Sequence, residues 1–442
     1  MLIKAIVLKS IGCRTNQEEM NTLAFRLMQE GNNVIDSIEA ADVVIVNTCS
    51  VTSFTEAKTM RMLRQISRNA PGAKICVTGC LAQQSAEKLL CIPNVKWVVG
   101  NYLKSEIPGI LTSDKTGIFR EAAEQARSSL KLPDADIFFN TARRTRFPVK
   151  IQEGCDFRCA YCIVPLLRGK SRSAPVDDIL YACRKAIASG FKEIVLTGTH
   201  IGQYLAGDSV NLTGLIHKII ETPGDYRLRL GSLDPGDLSD DLVSLVTTHP
   251  RVCRHLHVSV QSLSTAVVDK MGRSPEAMDK ATGKLLEVRK VFPFTGIGGD
   301  FIVGFPGETE DMFGETLKNV RNIGFSYGHV FRYSKRPSTA AVDFPDQVDE
   351  KEKNFRSVRL RAVIDECKNA FVKSCIDVPQ RIVTETDYPV TGLTSNYLRV
   401  IVPNAAVGRN VWSDVAITDA KIEKGLCRAT ALERVQNESV II

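Results

Sequence analysis

Residues 153–162 read Glu-Gly-Cys-Asp-Phe-Arg-Cys-Ala-Tyr-Cys, in which Cys155, Cys159 and Cys162 (the central trio) stand in a C-x3-C-x2-C spacing. The run supplies three thiolates and no fourth ligand nearby, whereas a closed iron–sulfur cluster takes four cysteines. An open position on a bound metal is typical of a catalytic site rather than a structural one. The alternative is a zinc knuckle, which needs a distant second pair of ligands, and no such pair follows in the sequence.

Around the central trio the sequence alternates between strand-like and helical runs. Six βα units predict an α/β fold with an open or partial TIM-type barrel, (β/α)6, in which catalytic groups gather at the carboxyl ends of the strands. The central trio follows the first strand, so we expect it at that face. The predicted strands cover residues 149–152, 193–197, 226–230, 255–260, 300–303 and 327–333, and the helical patterns include 176–188 and 310–323.

The first hundred residues show a separate alternation of strands and helices. Uninterrupted β-branched runs between helices indicate a parallel sheet that is covered on both faces. The predicted strands cover residues 5–8, 42–47, 74–78 and 96–99, and the predicted helices cover 18–30, 56–68 and a short segment from residue 85.

Three cysteines of this region, Cys13, Cys49 and Cys80 (the N-terminal trio), each come just after a predicted strand. The carboxyl ends of parallel strands share one edge of the sheet, where open α/β sheets bind ligands near a topological switch point. We therefore expect the three thiols to converge, and three unrelated cysteines are the alternative. Cys76, inside a strand, and Cys91, in a predicted helix, are interpreted as buried apolar residues.

The rest of the chain divides into a linker and a C-terminal module. Residues 112–145 are polar and without clear strands, with one predicted helix at 121–132. A long helix at 350–373 precedes short alternating segments, with turns at 392–396 and Gly408, that predict a small β-barrel. Small barrels of this type often bind oligonucleotides, and a purely structural tail is the alternative. The predicted barrel strands cover residues 380–386, 397–402, 410–417 and 427–432.

Composition bounds the class of protein. With 442 residues, of which 44% are apolar, the chain should hold two to four globular domains. The N-terminus reads as a strand rather than a signal peptide, and no apolar stretch is long enough to span a membrane. Thirteen cysteines in such a chain indicate a reducing compartment, so we expect a cytoplasmic protein. The net charge of +7 permits a nucleic-acid partner without demanding one.

Seven short motifs lie along the chain: Ile11-Gly-Cys-Arg-Thr-Asn16, Asn47-Thr-Cys49, Thr78-Gly-Cys80, the central trio with Ile163-Val-Pro-Leu-Leu-Arg-Gly-Lys-Ser-Arg-Ser173, Leu196-Thr-Gly198, Asp300-Phe-Ile-Val-Gly-Phe-Pro-Gly-Glu-Thr309 and Tyr333-Ser334. Together they make the chain resemble the methylthiotransferases of the radical S-adenosylmethionine (SAM) class over nearly its whole length. The resemblance implies an N-terminal methylthiotransferase domain at 1–113, a linker at 114–145, a radical SAM domain at 146–373 and a C-terminal TRAM domain at 374–442.

The family has three main branches, which differ in substrate. One modifies isopentenyladenosine in tRNA, one an aspartate of a small-subunit ribosomal protein, and the third, often called the MtaB type, N6-threonylcarbamoyladenosine in tRNA. The residues after Cys13 and around the central trio resemble the third branch most. The chain departs from the family pattern at Leu263, Arg332 and Ser338, positions that bear on the substrate cleft and leave the six cysteines intact. A rival of another class is an RNA-binding module with inactive metal sites.

The resemblance implies two [4Fe–4S] clusters, one on each trio, with SAM as the second cofactor. Carbon 2 of adenine has no acidic proton, so acid–base catalysis has nothing to act on and a cofactor must supply a radical. One SAM would methylate sulfur held at the N-terminal trio, and a second would be cleaved at the central trio to a 5'-deoxyadenosyl radical. The expected partners are the tRNA substrate and a reductant of the flavodoxin or ferredoxin type, with the chain acting as a monomer and without a membrane.

Further residues are candidates for ligand contact. His200 and His257 are expected to make structural hydrogen bonds rather than to bind metal. Basic residues at 61, 64 and 68 recur at near-helical spacing, as either a solvated helix face or a contact to tRNA phosphates. The candidates for contact with SAM, each with fold maintenance as the alternative, are Tyr161, Gly198, Thr199, Arg229, Gln261 and Asp300.

Overall fold

The computed structural model describes residues 5–113, 115–121, 130, 145–207, 209–423 and 425–432. The chain forms two compact units. The first comprises Met1–Asn140, Lys150–Asp178 and Ser334–Val342, and the second comprises Thr141–Val149, Ile179–Tyr333 and Asp343–Ile442. Both cysteine trios fall in the first unit.

The N-terminal part of the first unit is a six-stranded, all-parallel sheet in the order β2-β1-β3-β4-β5-β6. Its central strand, β3, is buried along its whole length, because helices cover both faces of the sheet. The strand order reverses direction between β1 and β3, which creates a switch point at their carboxyl ends. The strands are β1 (Ala5–Ser10), β2 (Asn33–Val34), β3 (Val43–Thr48), β4 (Lys74–Gly79), β5 (Val95–Val99) and β6 (Gly117–Phe119). The helices are α1 (Arg14–Gln29), α2 (Ser53–Asn69), α3 (Cys80–Gln84), α4 (Ala86–Leu90), the 3-10 helix Asn101–Glu106 and α5 (Ile107–Thr112).

The predicted parallel sheet is confirmed, with one correction at its edge. The segment 112–145 was predicted to lack strands, but β6 lies within it and pairs in parallel with β5. Three residues are too short a run to show strand periodicity, which is why the sequence did not reveal it. The helix predicted at 121–132 lies outside the described residues, apart from positions 121 and 130.

The central trio occupies a loop of the first unit. The strand before it, β7 (Arg146–Glu153), begins in the second unit and ends in the first. The loop leads into the short helix α6 (Val164–Arg168) and then into β8 (Arg172–Ser173), which pairs antiparallel with the end of β7. The segment Ser334–Val342 adds a 3-10 helix, Ala340–Val342.

The second unit contains a βα series whose neighbouring strands pair in parallel. All six strands predicted from sequence are present, including β7, and the helices predicted at 176–188 and 310–323 have those bounds. The strands are β9 (Glu193–Gly198), the small hairpin β10 (Leu205–Ala206) and β11 (Val210–Asn211), β12 (Arg227–Leu230), β13 (Ser232–Leu233), β14 (His255–Gln261), β15 (Gly296–Val303) and β16 (Tyr327–Arg332). The helices are α7 (Val176–Ala188), the 3-10 helices Ile201–Gln203 and Pro235–Asp237, α8 (Leu212–Ile220), α9 (Asp240–Thr248), α10 (Thr265–Lys270), α11 (Pro275–Val291) and α12 (Glu310–Ile323).

A long helix, α13 (Glu350–Ser374), leads into the predicted small barrel, which closes with strand order β17-β18-β19-β21-β20. The turn predicted at 392–396 is wrong in its first half, because residues 392–394 belong to β18. A Cβ on Gly392 would lie 2.7 Å from the Val383 carbonyl oxygen, so this glycine permits close strand pairing. The barrel strands are β17 (Pro379–Thr384), β18 (Val390–Thr394), β19 (Arg399–Val402), β20 (Trp412–Glu423) and β21 (Leu426–Ala431).

Across the described ranges, every helix is too short or too polar to pass through a lipid bilayer.

Candidate metal centres

The N-terminal trio converges at the carboxyl edge of the parallel sheet. Cys13 is the N-cap of α1, Cys49 follows β3, and Cys80 opens α3 directly after β4. The three thiols are close enough that the charges of Cys80 and Cys13 act on Cys49. Burial, reinforced by these neighbouring thiolates, raises the pKa of Cys49 to about 12. A bound cation would be needed to hold Cys49 as a thiolate at neutral pH.

Two glycines with positive φ bring these loops together. Gly12 has φ +114°, and a Cβ there would lie 2.5 Å from the Cys49 Cβ. Gly79 has φ +99°, and a Cβ there would lie 2.4 Å from both the Thr48 carbonyl oxygen and Asn47 Oδ1. Neither position accepts a side chain, because the Cys49 side chain at the first and the Thr48 backbone at the second cannot move aside without displacing a cysteine loop.

We expect Gly79→Ala to prevent metal binding at the N-terminal trio. The substitution forces a clash with backbone atoms of residue 48 and so shifts Cys80. If each trio holds a four-iron cluster, reconstituted protein should fall from about eight to about four irons per chain. Gly72→Ala is the matched control, because nothing lies within 4 Å of a Cβ at that position. Equal iron content in the two variants would contradict the prediction.

Buried polar atoms without partners surround the N-terminal trio. Among the described residues, Asn47 Oδ1, Thr78 Oγ1 and Asn101 Oδ1 make no hydrogen bond, although all three side chains are buried. The side-chain nitrogen of Asn101, Nδ2, lies 3.8 Å from Cys80 Sγ, so the site is lined by both hydrogen-bond donors and acceptors. Orphaned polar groups in a protein interior are costly unless a ligand or water satisfies them. The surroundings of the trio therefore fit a charged inorganic group better than an apolar core.

The central trio lies in a loop that is closed by backbone hydrogen bonds. The Cys155 amide donates to the Gly169 carbonyl at 3.0 Å, and the Cys162 amide donates to the Cys159 carbonyl at 3.0 Å. The Ala341 amide donates to the Ala160 carbonyl at 2.9 Å, which ties the segment Ser334–Val342 to the loop. All three cysteines are partly exposed. The loop thus holds three accessible sulfurs on a fixed backbone.

The other cysteines and the histidines have structural surroundings. Cys76 is fully buried, as predicted, but the prediction that Cys91 is buried is wrong. It is exposed at the end of α4, where its thiol donates to the Glu87 carbonyl at 3.3 Å. His200 and His257 each contact a carboxylate at 3.0 Å, Asp237 and Asp300 respectively. Within the described part of the chain, no group of three or more cysteine, histidine or acidic side chains is already arranged to hold a single metal ion.

Several expected SAM contacts of the second unit lie at strand ends. Gly198 ends β9, and Thr199 follows it. Gln261 ends β14 with φ +63°, beside an irregularity in the pairing with β15. Tyr161, another expected SAM contact, lies in the first unit, in the loop of the central trio. A residue held at positive φ is strained, and such strain is concentrated at ligand sites.

Asp300 is oriented and kept ionised by its neighbours in the second unit. Its Oδ2 accepts from Ser259 at 3.1 Å and contacts His257 Nε2 at 3.0 Å. Burial opposes ionisation, but the hydrogen bond and charge of His257, with His329 and Ser259, outweigh it and hold the pKa below the usual value. The carboxylate is therefore a fixed acceptor.

Arg229 is a correction to the predicted ligand set. Its side chain is completely buried and donates to Glu193 Oε1 at 2.7 Å and to the carbonyls of Thr394 and Ser395 at 2.9 and 3.0 Å. The guanidinium thus fastens β12 to the C-terminal barrel and has no surface on which to bind SAM. The sequence placed Arg229 in a strand but gave no sign of its distant partners.

Helix α2 presents a cationic face. Four basic residues are exposed on it, and within the described ranges none of them forms a salt bridge: Lys58, Arg61, Arg64 and Arg68. The one acidic residue of the helix, Glu56, is paired with Arg336 at 2.6 Å. Phe54, at the start of the helix, is 74% exposed. This basic face begins close in sequence to Cys49.

Two family models match the chain. The one described as "Uncharacterized protein family UPF0004" matches residues 5–100, and that of the Radical SAM superfamily matches residues 149–320. Each match contains one of the cysteine trios.

Curated proteins are similar over nearly the whole chain. The threonylcarbamoyladenosine tRNA methylthiotransferase MtaB of Bacillus subtilis (strain 168) is 32% identical over 412 residues, which is 90% of each chain. The protein of the same name from Thermotoga maritima is 33% identical over 440 residues, or 98% of each chain. The tRNA-2-methylthio-N(6)-dimethylallyladenosine synthase of Lawsonia intracellularis is 33% identical, covering 87% of this chain and 88% of its own.

Solved structures support the fold. The radical SAM methyltransferase TsrM from Kitasatospora setae, with cobalamin and a [4Fe-4S] cluster bound, aligns with a TM-score of 0.56 over 77% of each chain. The sequence identity is 13%, so the likeness concerns the fold.

Proposed function

The chain belongs to the radical SAM methylthiotransferases, and we propose that it attaches a methylthio group to carbon 2 of N6-threonylcarbamoyladenosine next to the anticodon of tRNA. The observation that carries the proposal is the convergence of Cys13, Cys49 and Cys80 in a unit that also holds the central trio. Two MtaB proteins that match over at least 90% of their length favour this nucleoside. The dimethylallyladenosine synthase at the same identity makes isopentenyladenosine the second candidate.

In this proposal each trio holds a [4Fe–4S] cluster with one iron open to a non-protein ligand. When bound, the clusters and two molecules of SAM supply the radical and the methylthio group that no side chain can provide. The orphaned atoms of Asn47, Thr78 and Asn101 support the N-terminal site, because they offer polar contacts that nothing in the described part of the chain satisfies. A flavodoxin- or ferredoxin-type protein is the proposed reductant.

The chain's own residues bind and orient SAM in this scheme. Asp300, held ionised by His257, accepts hydrogen bonds from a polar end of SAM. Gly198 and Thr199 offer backbone at the end of β9, and Gln261 and Tyr161 offer side chains. We propose domains at 1–113, 146–373 and 374–442 and a linker at 114–145. The first part of the linker contributes β6, which pairs with the sheet of the first domain.

Nucleoside analysis of tRNA from a deletion strain tests the proposed function. We expect the methylthiolated threonylcarbamoyladenosine peak to vanish and to return when the gene is supplied again. Loss of the methylthiolated isopentenyladenosine peak instead would assign the second candidate. Intact tRNA nucleosides with a lighter small-subunit ribosomal protein would overturn the proposal.

We propose that the basic face of α2 contacts tRNA phosphates. Changing Arg61, Arg64 and Arg68 together to glutamine should weaken tRNA binding and flatten its salt dependence. Each lost phosphate contact reduces the slope of log K against log salt by about 0.7–0.9. SAM cleavage without tRNA should be unchanged.

The salt titration needs a control of equal charge. Lys280, Lys290 and Lys318 are exposed in the second unit, and changing them to glutamine removes the same charge. If the slope of log K against log salt falls equally in both triple variants, only net charge matters and the basic face of α2 does not contact tRNA.

A further inference from the structure

A buried network of charges lies beside the N-terminal trio inside the first unit. Its centre is Arg168, which is 3% exposed. The guanidinium donates to Glu19 Oε1, Glu153 Oε1 and Asn16 Oδ1, each at 2.8 Å. Lys150 also bonds both glutamates, at 3.0 and 3.1 Å. These contacts fix the guanidinium in one place.

The position of Arg168 connects the two trios. It is the last residue of α6, which begins two residues after Cys162. Leu167, its neighbour in α6, packs against Cys80, and the Leu167 carbonyl accepts from Asn101 at 2.9 Å. The Asn16 side chain that accepts from Arg168 also accepts from the Cys13 thiol at 3.5 Å. One short helix thus contacts residues at two of the three N-terminal cysteines.

The charge of Arg168 acts on the N-terminal trio. Burial opposes its ionisation, but Glu19, Cys80, Glu153 and Cys13, in that order, hold its pKa well above the usual value. For Lys150 the dominant charges are carboxylates, first Glu153 and then Glu19. Arg168 and Lys150 are both buried and pair with the same two glutamates. The charges around Arg168 include the thiols of Cys80 and Cys13, whereas the largest around Lys150 are carboxylates.

The network carries more positive than negative charge. Lys104 is a third buried cation and is paired with Glu19. The carboxyl of Glu19 remains ionised: burial disfavours this, but Arg168 and then the lysines outweigh it and lower its pKa. Glu153 is the second carboxyl that pairs with these cations, at 2.8 Å from Arg168 and 3.1 Å from Lys150. Burial raises the pKa of Glu18, the third carboxyl of the region, to about 7. The surplus positive charge faces the thiols in a medium where charges are poorly screened.

We propose that Arg168 is a positioning residue that sets the reduction potential of a cluster on the N-terminal trio. A fixed positive charge stabilises the reduced, more negative cluster, because net charge and hydrogen bonding determine cluster potentials. Because Arg168 ends the helix that follows the central trio, the reduction potential of the cluster on the N-terminal trio depends on the loop that holds the central trio. This inference rests on the proposed function, because it presupposes a cluster at Cys13, Cys49 and Cys80.

The test is a redox titration of the N-terminal centre that is monitored by electron paramagnetic resonance. Full-length protein with the central trio changed to alanine isolates that centre. Arg168→Gln alone would leave Glu19 and Glu153 under-compensated and could unfold the chain. The test variant is therefore R168Q/E153Q, which removes a cation and a carboxylate together. We expect a midpoint potential more negative than in the background protein.

The matched control is K150Q/E153Q, which removes an equally buried cation and the same carboxylate. Its midpoint potential should stay at the background value. The midpoint potential of R168K should also stay near the background value, because lysine keeps the positive charge. Equal potentials in R168Q/E153Q and K150Q/E153Q, with iron bound in both, would overturn the inference alone. Absence of bound iron from the background protein would instead overturn the proposed function.

Discussion

Protein in which Cys13, Cys49 and Cys80 are all changed to alanine should still cleave SAM but form no methylthiolated tRNA. The central trio has its own loop, closed by the backbone hydrogen bonds of Cys155 and Cys162, and none of these depends on an N-terminal thiol. Its cluster should therefore assemble and cleave SAM reductively. The sulfur to be transferred has no site in this variant, so product formation should fall below detection rather than merely slow down.

The measurement is 5'-deoxyadenosine release and tRNA nucleoside analysis in the same anaerobic reaction, with iron content as the third readout. Iron should fall from about eight to about four per chain if both centres hold four irons. Cys91→Ala is the matched control, since Cys91 is an exposed cysteine of the same unit and belongs to neither trio. Loss of SAM cleavage in the N-terminal triple variant would mean that the two centres do not divide the work as proposed.

The convergence of the N-terminal trio could be predicted from the sequence because of a geometric rule. Parallel strands end at one edge of their sheet, so Cys13, Cys49 and Cys80 had to meet once the strands before them were recognised. The strong β-branched runs of β1, β3 and β4 made that recognition possible. The closed C-terminal barrel followed similarly from short alternating segments and turn residues.

Other features depend on contacts between distant parts of the chain, which no local sequence pattern reveals. Leu167 and Asn101 both contact Cys80, although the two residues are 66 positions apart in the sequence. The position of Arg229 in a barrel strand predicts a SAM contact, but its partner carbonyls lie about 165 residues further on. Local pattern shows that a residue is in a strand; it does not show which surface covers that strand.

The same distant contacts produce a buried ion-pair centre in the second unit. Glu193 is completely buried and pairs with Arg227 and Arg229, the two arginines on one face of β12. Arg227 also donates to the Arg381 carbonyl at 2.9 Å and to the Leu393 carbonyl at 2.6 Å. Both guanidiniums thus join Glu193 to the backbone of the C-terminal barrel.

We expect Glu193→Ala to lower the free energy of unfolding by about 3–5 kcal/mol, the usual cost of removing one partner from a buried ion pair. Two desolvated guanidiniums would lose the one carboxylate that pairs with them among the described residues, although their bonds to carbonyls remain. Urea unfolding of a Trp97→Phe background, followed by the fluorescence of Trp412, measures the change at the barrel. Glu366→Ala removes an exposed partner of Arg321 and should change the free energy by less than about 0.5 kcal/mol.

The stabilisation by Glu193 should also depend on pH in a defined direction. Burial works against the carboxylate, but Arg229 and then Arg227 outweigh it and hold its pKa far below the usual value. The unfolded chain, with a glutamate pKa near 4.3, then binds a proton that the folded chain does not, so acid favours unfolding. The difference in unfolding free energy between the parent protein and Glu193→Gln should be constant above about pH 5 and shrink steadily below about pH 4. A difference that stays constant down to pH 3 would show that the charge of Glu193 contributes nothing and that its shape alone holds the barrel in place.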